Sequence, residues 1–332
     1  MSGSEPTGVT SNRYPEQRPR AATVRSRLMI EVASELVGRT DFGPKQARIS
    51  FRHQGADSWA MSIFGSDALS TALEVAAGNV DFAILNPATV VSKAILGNEP
   101  FIKPVPLRAI ATVPSQDRLG VAISTQMGLR TLEQVATERL PLRVSLRGQR
   151  PDHSVHAVVD DALAAHGITL QSIRQWGGAI KYHPGIPHQE PRSSAIRRGE
   201  VDLIIDEGIY NWVDVAIDAG FEFISFGEDA LSSLEADGYR RSVIAADDYE
   251  LLDGDVATVD FSGFLIYTHA RVDDEIVTAF CESLNARRDR IPWQGGAELP
   301  LERMVIDAPD APIPIEFHPA ADAYWRGLGY LR

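Results

Sequence analysis

Residues 76–85 read AAGNVDFAIL and residues 197–206 read RRGEVDLIID, so one short pattern occurs twice in the chain. Each copy combines a helix end, a glycine suited to the left-handed position that closes a helix, and an apolar run after Val-Asp. Such a run is typical of a strand buried on both faces of a parallel sheet. Two copies far apart in one chain predict two α/β lobes of similar construction.

Polar residues follow each of these predicted strands at its carboxyl end. The first copy runs into Asn86-Pro87, and the second ends at Asp206 and runs into Glu207. In open α/β sheets, ligands bind outside the carboxyl ends of the strands. We therefore expect Asn86 and Glu207 to face a shared cleft between the lobes.

The composition limits the class of protein. A chain of 332 residues has room for two domains, and its hydrophobic content of 44% and charged content of 23% are those of a soluble globular protein. The formal net charge of -13 argues against nucleic acid as a partner, because phosphate binding needs a basic surface. The single cysteine, Cys281, permits no intrachain disulfide and lies on an apolar helical face, as a structural thiol would.

The N-terminal segment, residues 1–20, is polar and rich in Ser, Pro and Arg. We interpret it as a disordered tail without the apolar core of a secretory signal. No stretch of the chain approaches the apolar length that crosses a membrane, so no membrane insertion is expected. These features predict a cytoplasmic protein, or a periplasmic one only if the true N-terminus differs. Transporter membrane subunits are expected as partners only if the protein is exported.

The order of the predicted elements divides the chain into lobes. Residues 21–118 and 264–332 are assigned to the first lobe and residues 119–263 to the second. Thr258–Thr268 is interpreted as one strand-like run that returns the chain to the first lobe, and residues 177–192 as a long loop. Two crossings between lobes form a hinge, which lets the cleft close around a ligand.

The segment 147–154 is the strongest candidate for an anion site, because a strand precedes it and a helix follows it. Arg147 can grip a carboxylate with two parallel hydrogen bonds, Gly148 lets the backbone approach, and Ser154 lies at a helix N-terminus with free N–H groups. The ligand expected is therefore a small organic acid. The alternative is a solvated Arg147, with Asp152 as an ordinary helix cap.

Other residues are candidates for the same cleft. Glu207 can act as an acid or base or receive a donor from a substrate, and His153 can carry a proton. Trp176 can supply an aromatic wall, and Gln54 and Gly55 lie in a polar loop that follows a predicted strand. Because no histidine stands in a metal-binding spacing with carboxylates and no glycine-rich nucleotide motif occurs, neither a metal nor a cofactor is predicted.

The chain resembles the periplasmic-binding-protein-like superfamily of the second topological type, and within it the TAXI-type solute-binding proteins of tripartite transporters. The resemblance covers most of residues 45–331 and departs from the family in two places. Such receptors carry a secretion signal, and they begin with a strand and a glycine-rich loop where residues 20–32 look helical here. The residues that carry the resemblance are Gly78–Ile84, Gly199–Asp202, Trp176-Gly177-Gly178, Glu316–Pro319 and Gly329–Leu331.

Three functions remain open at this stage. The first is binding of a small carboxylate-bearing ligand between the lobes. The second is a cytoplasmic enzyme of the same fold, a lyase (decarboxylase or dehydratase) or a hydrolase acting on such an acid, since the resemblance includes members of that kind. The third is a regulatory protein that senses a ligand. The missing signal favours the second and third functions, and the missing catalytic motif favours the first and third.

Overall fold

The computed structural model describes residues 21–39, 46–53, 58–148, 153–294 and 297–332. Residues 1–45 group as one unit and residues 46–332 as another. Within the first unit, α1 (Ala21–Gly38) ends at the glycine predicted for it, and its described side chains from 24 to 38 are exposed. The sequence analysis placed α1 in the first lobe, and that assignment stays a prediction. The predicted tail, residues 1–20, lies outside the described residues.

The second unit contains all the strands and the remaining helices. The strands are β1 (Ala47–Arg52), β2 (Ala60–Gly65), β3 (Phe82–Leu85), β4 (Leu107–Val113), β5 (Gly120–Ser124), β6 (Arg143–Arg147), β7 (Ala179–His183), β8 (Leu203–Asp206), β9 (Phe221–Phe223), β10 (Arg241–Ile244), β11 (Val256–Val259) and β12 (Phe264–His269). The helices are α2 (Ser70–Ala77), α3 (Val90–Leu96), α4 (Leu132–Glu138), α5 (Ser154–Ala165), α6 (Leu170–Gln175), α7 (Arg192–Arg197), α8 (Val213–Asp218), α9 (Glu228–Ala236), α10 (Asp274–Ala286) and α11 (Pro319–Gly327).

Two five-stranded sheets form the centres of two lobes. The first has the order β1-β2-β3-β12-β4, and the second has the order β7-β6-β8-β5-β9. In each sheet the strand that follows a crossing, β12 or β5, runs antiparallel to both of its neighbours. This arrangement confirms the predicted two-lobed α/β fold of the periplasmic-binding-protein-like type.

The repeated pattern has the same structural role in both lobes. Gly78 and Gly199 adopt the left-handed φ values of 77° and 65° that end the preceding helices. The aspartate that follows valine then binds the neighbouring parallel strand: Asp81 Oδ2 accepts from Ser62 N at 2.7 Å, and Asp202 Oδ2 accepts from Arg143 N at 2.8 Å. The Val-Asp step therefore joins each buried strand to its neighbour before the regular ladder begins.

The two crossings, residues 114–119 and 260–263, are hydrogen-bonded to each other. Phe261 N donates to Asp117 O at 3.0 Å, and Gly263 N donates to Ser115 O at 2.9 Å. Thr258–Thr268 is therefore not one strand, as the sequence analysis expected, but β11, a crossing and β12. The reason lies in the middle of the run, where Asp260 is fully buried and Gly263 has a φ of 75°.

Two further strands differ from the sequence-based expectation. The predicted loop 177–192 contains β7, an edge strand of half-buried residues followed by prolines that hide it in the sequence. The strand β2 follows the predicted polar loop directly and pairs with β1. Both strands are mostly half-buried, so neither carries the continuous apolar run that is typical of a strand buried on both faces.

The lobes pack directly on each other. Buried residues of α3 in the first lobe, Val90, Val91 and Ala94, belong to the same apolar cluster as Val155 and Val158 of α5 in the second lobe.

Cys281 is buried on α10, and this burial raises the pKa of its thiol to about 12. Among the described residues, no helix combines the length and apolar character that spanning a membrane requires.

Candidate functional site

Charged side chains meet at the carboxyl ends of β6 and β8 in the second lobe. The two strands run parallel, with Ser145 opposite Ile204, so Arg147 and Asp206 reach the same edge of the sheet. Arg147 Nη2 lies 2.6 Å from Asp206 Oδ1. Its other terminal nitrogen, Nη1, pairs with Glu207. We call Arg147, Asp206, Glu207, Arg192 and Asp117 the strand-end cluster.

Arg192 holds Asp206 from the other side. Both side chains are fully buried and form an ion pair, and Arg192 Nε also donates to Ser145 Oγ at 2.9 Å. Burial lowers the pKa of Arg192, while the charge of Asp206 and its hydrogen bond oppose the shift. Asp206 is thus fixed between two guanidinium groups, whereas Glu207 pairs with Arg147 alone among the arginines of the cluster.

Arg147 retains hydrogen-bonding capacity in this arrangement. Burial alone would lower its pKa, but the negative charges of Asp206 and Glu207 raise it. Its side chain is 18% exposed, and its Nε is buried without a hydrogen-bond partner. Arg147 is therefore charged and oriented, and it can bind one more acceptor.

Asp117, in the first crossing, supplies a second carboxyl group beside Glu207. Its Oδ2 accepts from Gly208 N at 2.8 Å, and its Oδ1 accepts from Arg118 N at 2.7 Å. Burial, then the charge of Glu207 and a hydrogen bond with it, raise the pKa of Asp117 well above its usual value. Asp117 and Glu207 are therefore two adjacent carboxyl groups beside the first crossing.

Asn86 brings the first lobe to the same crossings. Its Nδ2 donates to Phe261 O at 2.9 Å and to Gly263 O at 3.1 Å, and its backbone oxygen accepts from Ser154 Oγ at 2.6 Å. Asn86 is thus hydrogen-bonded to the second crossing, residues 260–263, and Glu207 is hydrogen-bonded to Asp117 of the first crossing, residues 114–119. The two predicted strand ends lie at the junction between the lobes.

His153 and Ser154 form the start of α5 at this junction. Ser154 N donates to Asp67 O of the first lobe at 3.1 Å, so the helix terminus is capped from the opposite lobe. His153 Nδ1 accepts from Val155 N at 3.1 Å, which assigns the proton of a neutral ring to Nε2. That Nε2 lies 3.5 Å from Asp67 Oδ2. His153 therefore caps the helix and faces a carboxylate.

The remaining predicted residues lie in different places. Gln54 and Gly55 lie outside the described residues. Gly148 O accepts from His156 Nε2 at 3.3 Å, next to Arg147. Trp176 comes just before β7, and the first residue of β7, Ala179, pairs with Arg143 at the amino end of β6. Trp176 therefore lies near the amino ends of these strands, whereas Arg147 lies at the carboxyl end of β6. The structure does not bring Trp176 to the strand-end cluster.

The sequence analysis missed Asp117 and Arg192. Asp117 lies in the first crossing. Because the crossings lie next to the cleft, a polar residue in the predicted crossing was a signal that could have identified it. Arg192 lies in a segment that was interpreted as loop, and nothing in its local pattern marks it. Within the described ranges, no group of three His, Cys, Asp or Glu residues is placed to hold a metal ion.

Comparisons with known proteins give structural likenesses at low identity. A search of protein families found no match to the sequence, and a search of curated proteins found none either. An alkanesulfonate-binding protein from Xanthomonas axonopodis pv. citri, bound to MOPS, is 14% identical with a TM-score of 0.29, and the match covers 68% of this chain and 63% of that one.

Two further solved structures are similar to the chain. The glycine betaine/L-proline-binding protein from Borrelia burgdorferi is 11% identical with a TM-score of 0.34, covering 63% of this chain and 64% of that one. An ancestral cyclohexadienyl dehydratase is 10% identical with a TM-score of 0.24, covering 67% of each chain. The chain thus spans less than two thirds of the length of the alkanesulfonate-binding protein and of the glycine betaine/L-proline-binding protein. We therefore base the functional proposal on this chain's own residues.

Proposed function

We propose that the protein binds a small carboxylate-bearing ligand at the strand-end cluster, between the two lobes. The observation that supports this proposal is Arg147, a charged guanidinium held by Asp206, with a buried Nε that has no acceptor. A ligand carboxylate that replaces Glu207 on Arg147 gains two parallel, charge-assisted hydrogen bonds. Within this fold, we propose that the TAXI-type solute-binding proteins are the relatives whose ligand chemistry the site shares.

Glu207 is the internal competitor in this proposal. It occupies Nη1 of Arg147 and its side chain is 17% exposed, whereas Asp206 is fully buried. When a ligand arrives, Glu207 leaves Arg147 and keeps its hydrogen bond with Asp117. The raised pKa of Asp117 favours its neutral form, and a neutral Asp117 repels the displaced Glu207 less than a charged one would.

A thermal-shift screen with acetate, pyruvate, succinate, 2-oxoglutarate and benzoate tests the proposal. At 100 times its Kd, a bound acid stabilises the protein by about 2.7 kcal/mol. The Glu207→Gln variant should bind the same acid more tightly, because the competing charge is gone. Glu200→Gln is the matched control, since Glu200 is exposed and pairs with Arg198 at 2.7 Å away from the cluster. The absence of stabilisation by every acid, in wild type and in Glu207→Gln, would refute the proposal.

A second candidate function is an enzyme of the lyase or hydrolase type acting on a small organic acid. The observation that favours it is the Asp117–Glu207 pair, two adjacent carboxyl groups in which burial and the charge of Glu207 raise the pKa of Asp117. Such a pair can donate and accept a proton in turn. Mass spectrometry of each stabilising acid after incubation separates the two functions. An unchanged acid means binding, and a changed acid whose turnover is lost in Asp117→Asn means catalysis.

A further inference from the structure

A cavity of ≈ 850 Å³ lies along α3, and none of its lining residues belongs to the strand-end cluster. Its volume is in the range of small-molecule sites. One wall is α3 of the first lobe, a second is the segment 307–316, and the third is the turn 235–240 that follows α9 in the second lobe. We call it the α3 groove.

Two facing walls of the α3 groove carry aliphatic side chains. Ile95 and Leu96 line it from α3, and Ile313 and Ile315 line it from the facing segment. Leu96 is 47% exposed, so this apolar surface is open to a ligand. An aliphatic chain laid between these walls gains about 25 cal/mol per Å² of apolar surface removed from water.

Most of the charged groups that line the groove are already paired. Arg240 Nη2 lies 2.9 Å from the buried Asp260 and donates to Pro309 O at 2.7 Å. Glu235 Oε2 lies 2.7 Å from Arg241 Nε, and Asp307 Oδ1 accepts from Ile313 N at 2.9 Å. These side chains hold the walls together and offer little to a ligand.

Two polar groups of the lining retain capacity. Arg108 donates one hydrogen bond, to Leu107 O at 3.0 Å, and its Nη2 is 3.5 Å from Glu316, whose side chain is 84% exposed. Thr89 is 1% exposed, and its hydroxyl is the one lining atom, among the described residues, that is buried without a hydrogen-bond partner. A buried hydroxyl without a partner costs about 1–3 kcal/mol, so Thr89 is a donor that a polar ligand atom can satisfy.

We propose that the α3 groove binds an aliphatic monocarboxylate, with the carboxylate at Arg108 and the chain between α3 and the segment 307–316. Glu316 is a weak competitor for Arg108, because an ion pair with a side chain that is 84% exposed is worth at most about 1 kcal/mol. Both lobes contribute to the walls, so the ligand contacts α3 and the turn after α9 together. This site is separate from the one in which Arg147 holds a ligand.

Octanoate is the probe, measured by isothermal titration calorimetry with octanol as the uncharged comparison. Wild type should bind octanoate at millimolar concentrations or below and bind octanol more weakly. Arg108→Gln should weaken octanoate binding about tenfold. Leu96→Asp, at a half-exposed position that tolerates a polar residue, should weaken both compounds. Arg130→Gln is the matched control, because its side chain is 77% exposed and does not line the groove.

Three results would overturn the proposal. The first is no octanoate binding by wild type. The second is Arg108→Gln and Leu96→Asp binding octanoate as tightly as Arg130→Gln. The third is octanoate binding that survives in Arg108→Gln and is lost in Arg147→Gln, which would assign the carboxylate to the strand-end cluster. Failure of the small acids in the thermal-shift screen would leave octanoate binding at the groove unaffected, so the two proposals fail separately.

Discussion

Lys93 Nζ of the first lobe lies 2.7 Å from Asp237 Oδ2 of the second, and the same nitrogen pairs with Asp161 on α5. The lysine side chain is 3% exposed, whereas the two aspartates are 30% and 28% exposed. Tyr239 supports the pair by donating to Asp161 Oδ2 at 2.5 Å. One buried ammonium group thus holds two helical segments of the opposite lobe against α3.

The first prediction follows from this asymmetry of burial. Lys93→Met leaves two aspartates that water can still solvate, and we expect it to lower the free energy of unfolding by about 1–2 kcal/mol. The double variant Asp161→Asn/Asp237→Asn leaves a buried ammonium without a counter-charge, and we expect a loss of about 3–5 kcal/mol. Urea denaturation measures both. Arg197→Met, which removes an ion pair with side chains 55% and 59% exposed, is the control and should cost at most about 1 kcal/mol. Equal losses of unfolding free energy in all three variants would show that the Lys93 ion pairs contribute no more to stability than an exposed ion pair does.

The second prediction concerns pH and Asp117. Burial and the charge of Glu207 raise the pKa of Asp117 in the folded protein above its usual value in the unfolded chain. The stability that Asp117 contributes is therefore fully present below the usual pKa, and it is lost as pH rises through the folded-state pKa. Relative to wild type, Asp117→Asn should therefore become progressively more stable as pH rises above about 4. Thermal melts from acidic to neutral pH measure this difference.

Asp202→Asn is the control of opposite sign. Burial acts to raise the pKa of Asp202, but hydrogen bonds from Arg143 and its positive charge lower that pKa overall. The stability that Asp202 contributes is therefore present above its usual pKa, and it is lost as pH falls through the folded-state pKa. The variant should lose most stability relative to wild type near neutral pH. If both variants shift with pH in the same direction, the raised pKa of Asp117 is refuted.

The third prediction concerns the shape of the Arg147 side chain. Arg147→Lys keeps the positive charge between Asp206 and Glu207 but loses the planar fork. We expect the affinity for a stabilising small acid to fall about tenfold, or about 1.4 kcal/mol, while the free protein stays folded. Titration calorimetry measures the affinity. Arg143→Lys, at an arginine that is 44% exposed and paired with Asp202, should bind the acid like wild type. If Arg147→Lys binds the acid with unchanged affinity, Arg147 has a structural role and does not bind the ligand through its planar fork.

The fourth prediction concerns Gly263, where the chain returns to the first lobe. Its φ is +75°, and an added Cβ would meet Thr112 Cγ2 at 2.7 Å and Pro312 Cδ at 2.8 Å. Gly263→Ala should therefore lower the free energy of unfolding by about 3 kcal/mol, through backbone strain and overpacking. Gly199→Ala has a similar φ of +65° with nothing within 4 Å, so it isolates the backbone strain at about 1 kcal/mol. Equal losses in the two variants would rule out the clash with Pro312.

The two-lobed architecture could be predicted because its main signal is local. Gly-x-Val-Asp places a helix end, a turn and a strand within ten residues, and the structure uses both copies in the same way. The edge strand β7 could not be predicted in the same manner, because its stability comes from pairing with β6 and its prolines indicate a loop. Sequence patterns report local preferences, whereas edge strands depend on their neighbours.

The candidate site illustrates the same limit. Arg147 and Glu207 were both predicted as ligand-binding residues, each at the end of its own strand. That they pair with each other follows from the parallel neighbours β6 and β8, and strand order is not visible in a local pattern. Arg192 fixes Asp206 from a helix 14 residues earlier in the chain, and no periodicity points to it.

The position of β12 has a consequence for synthesis on the ribosome. All five strands of the second sheet lie between residues 120 and 223, so the second lobe can assemble as soon as that stretch has emerged. The first sheet stays divided until residue 269 is made, because β12 lies between β3 and β4 and pairs with both. The lobe whose translation begins first is therefore completed last, and the edges of β3 and β4 stay unpaired in the interval.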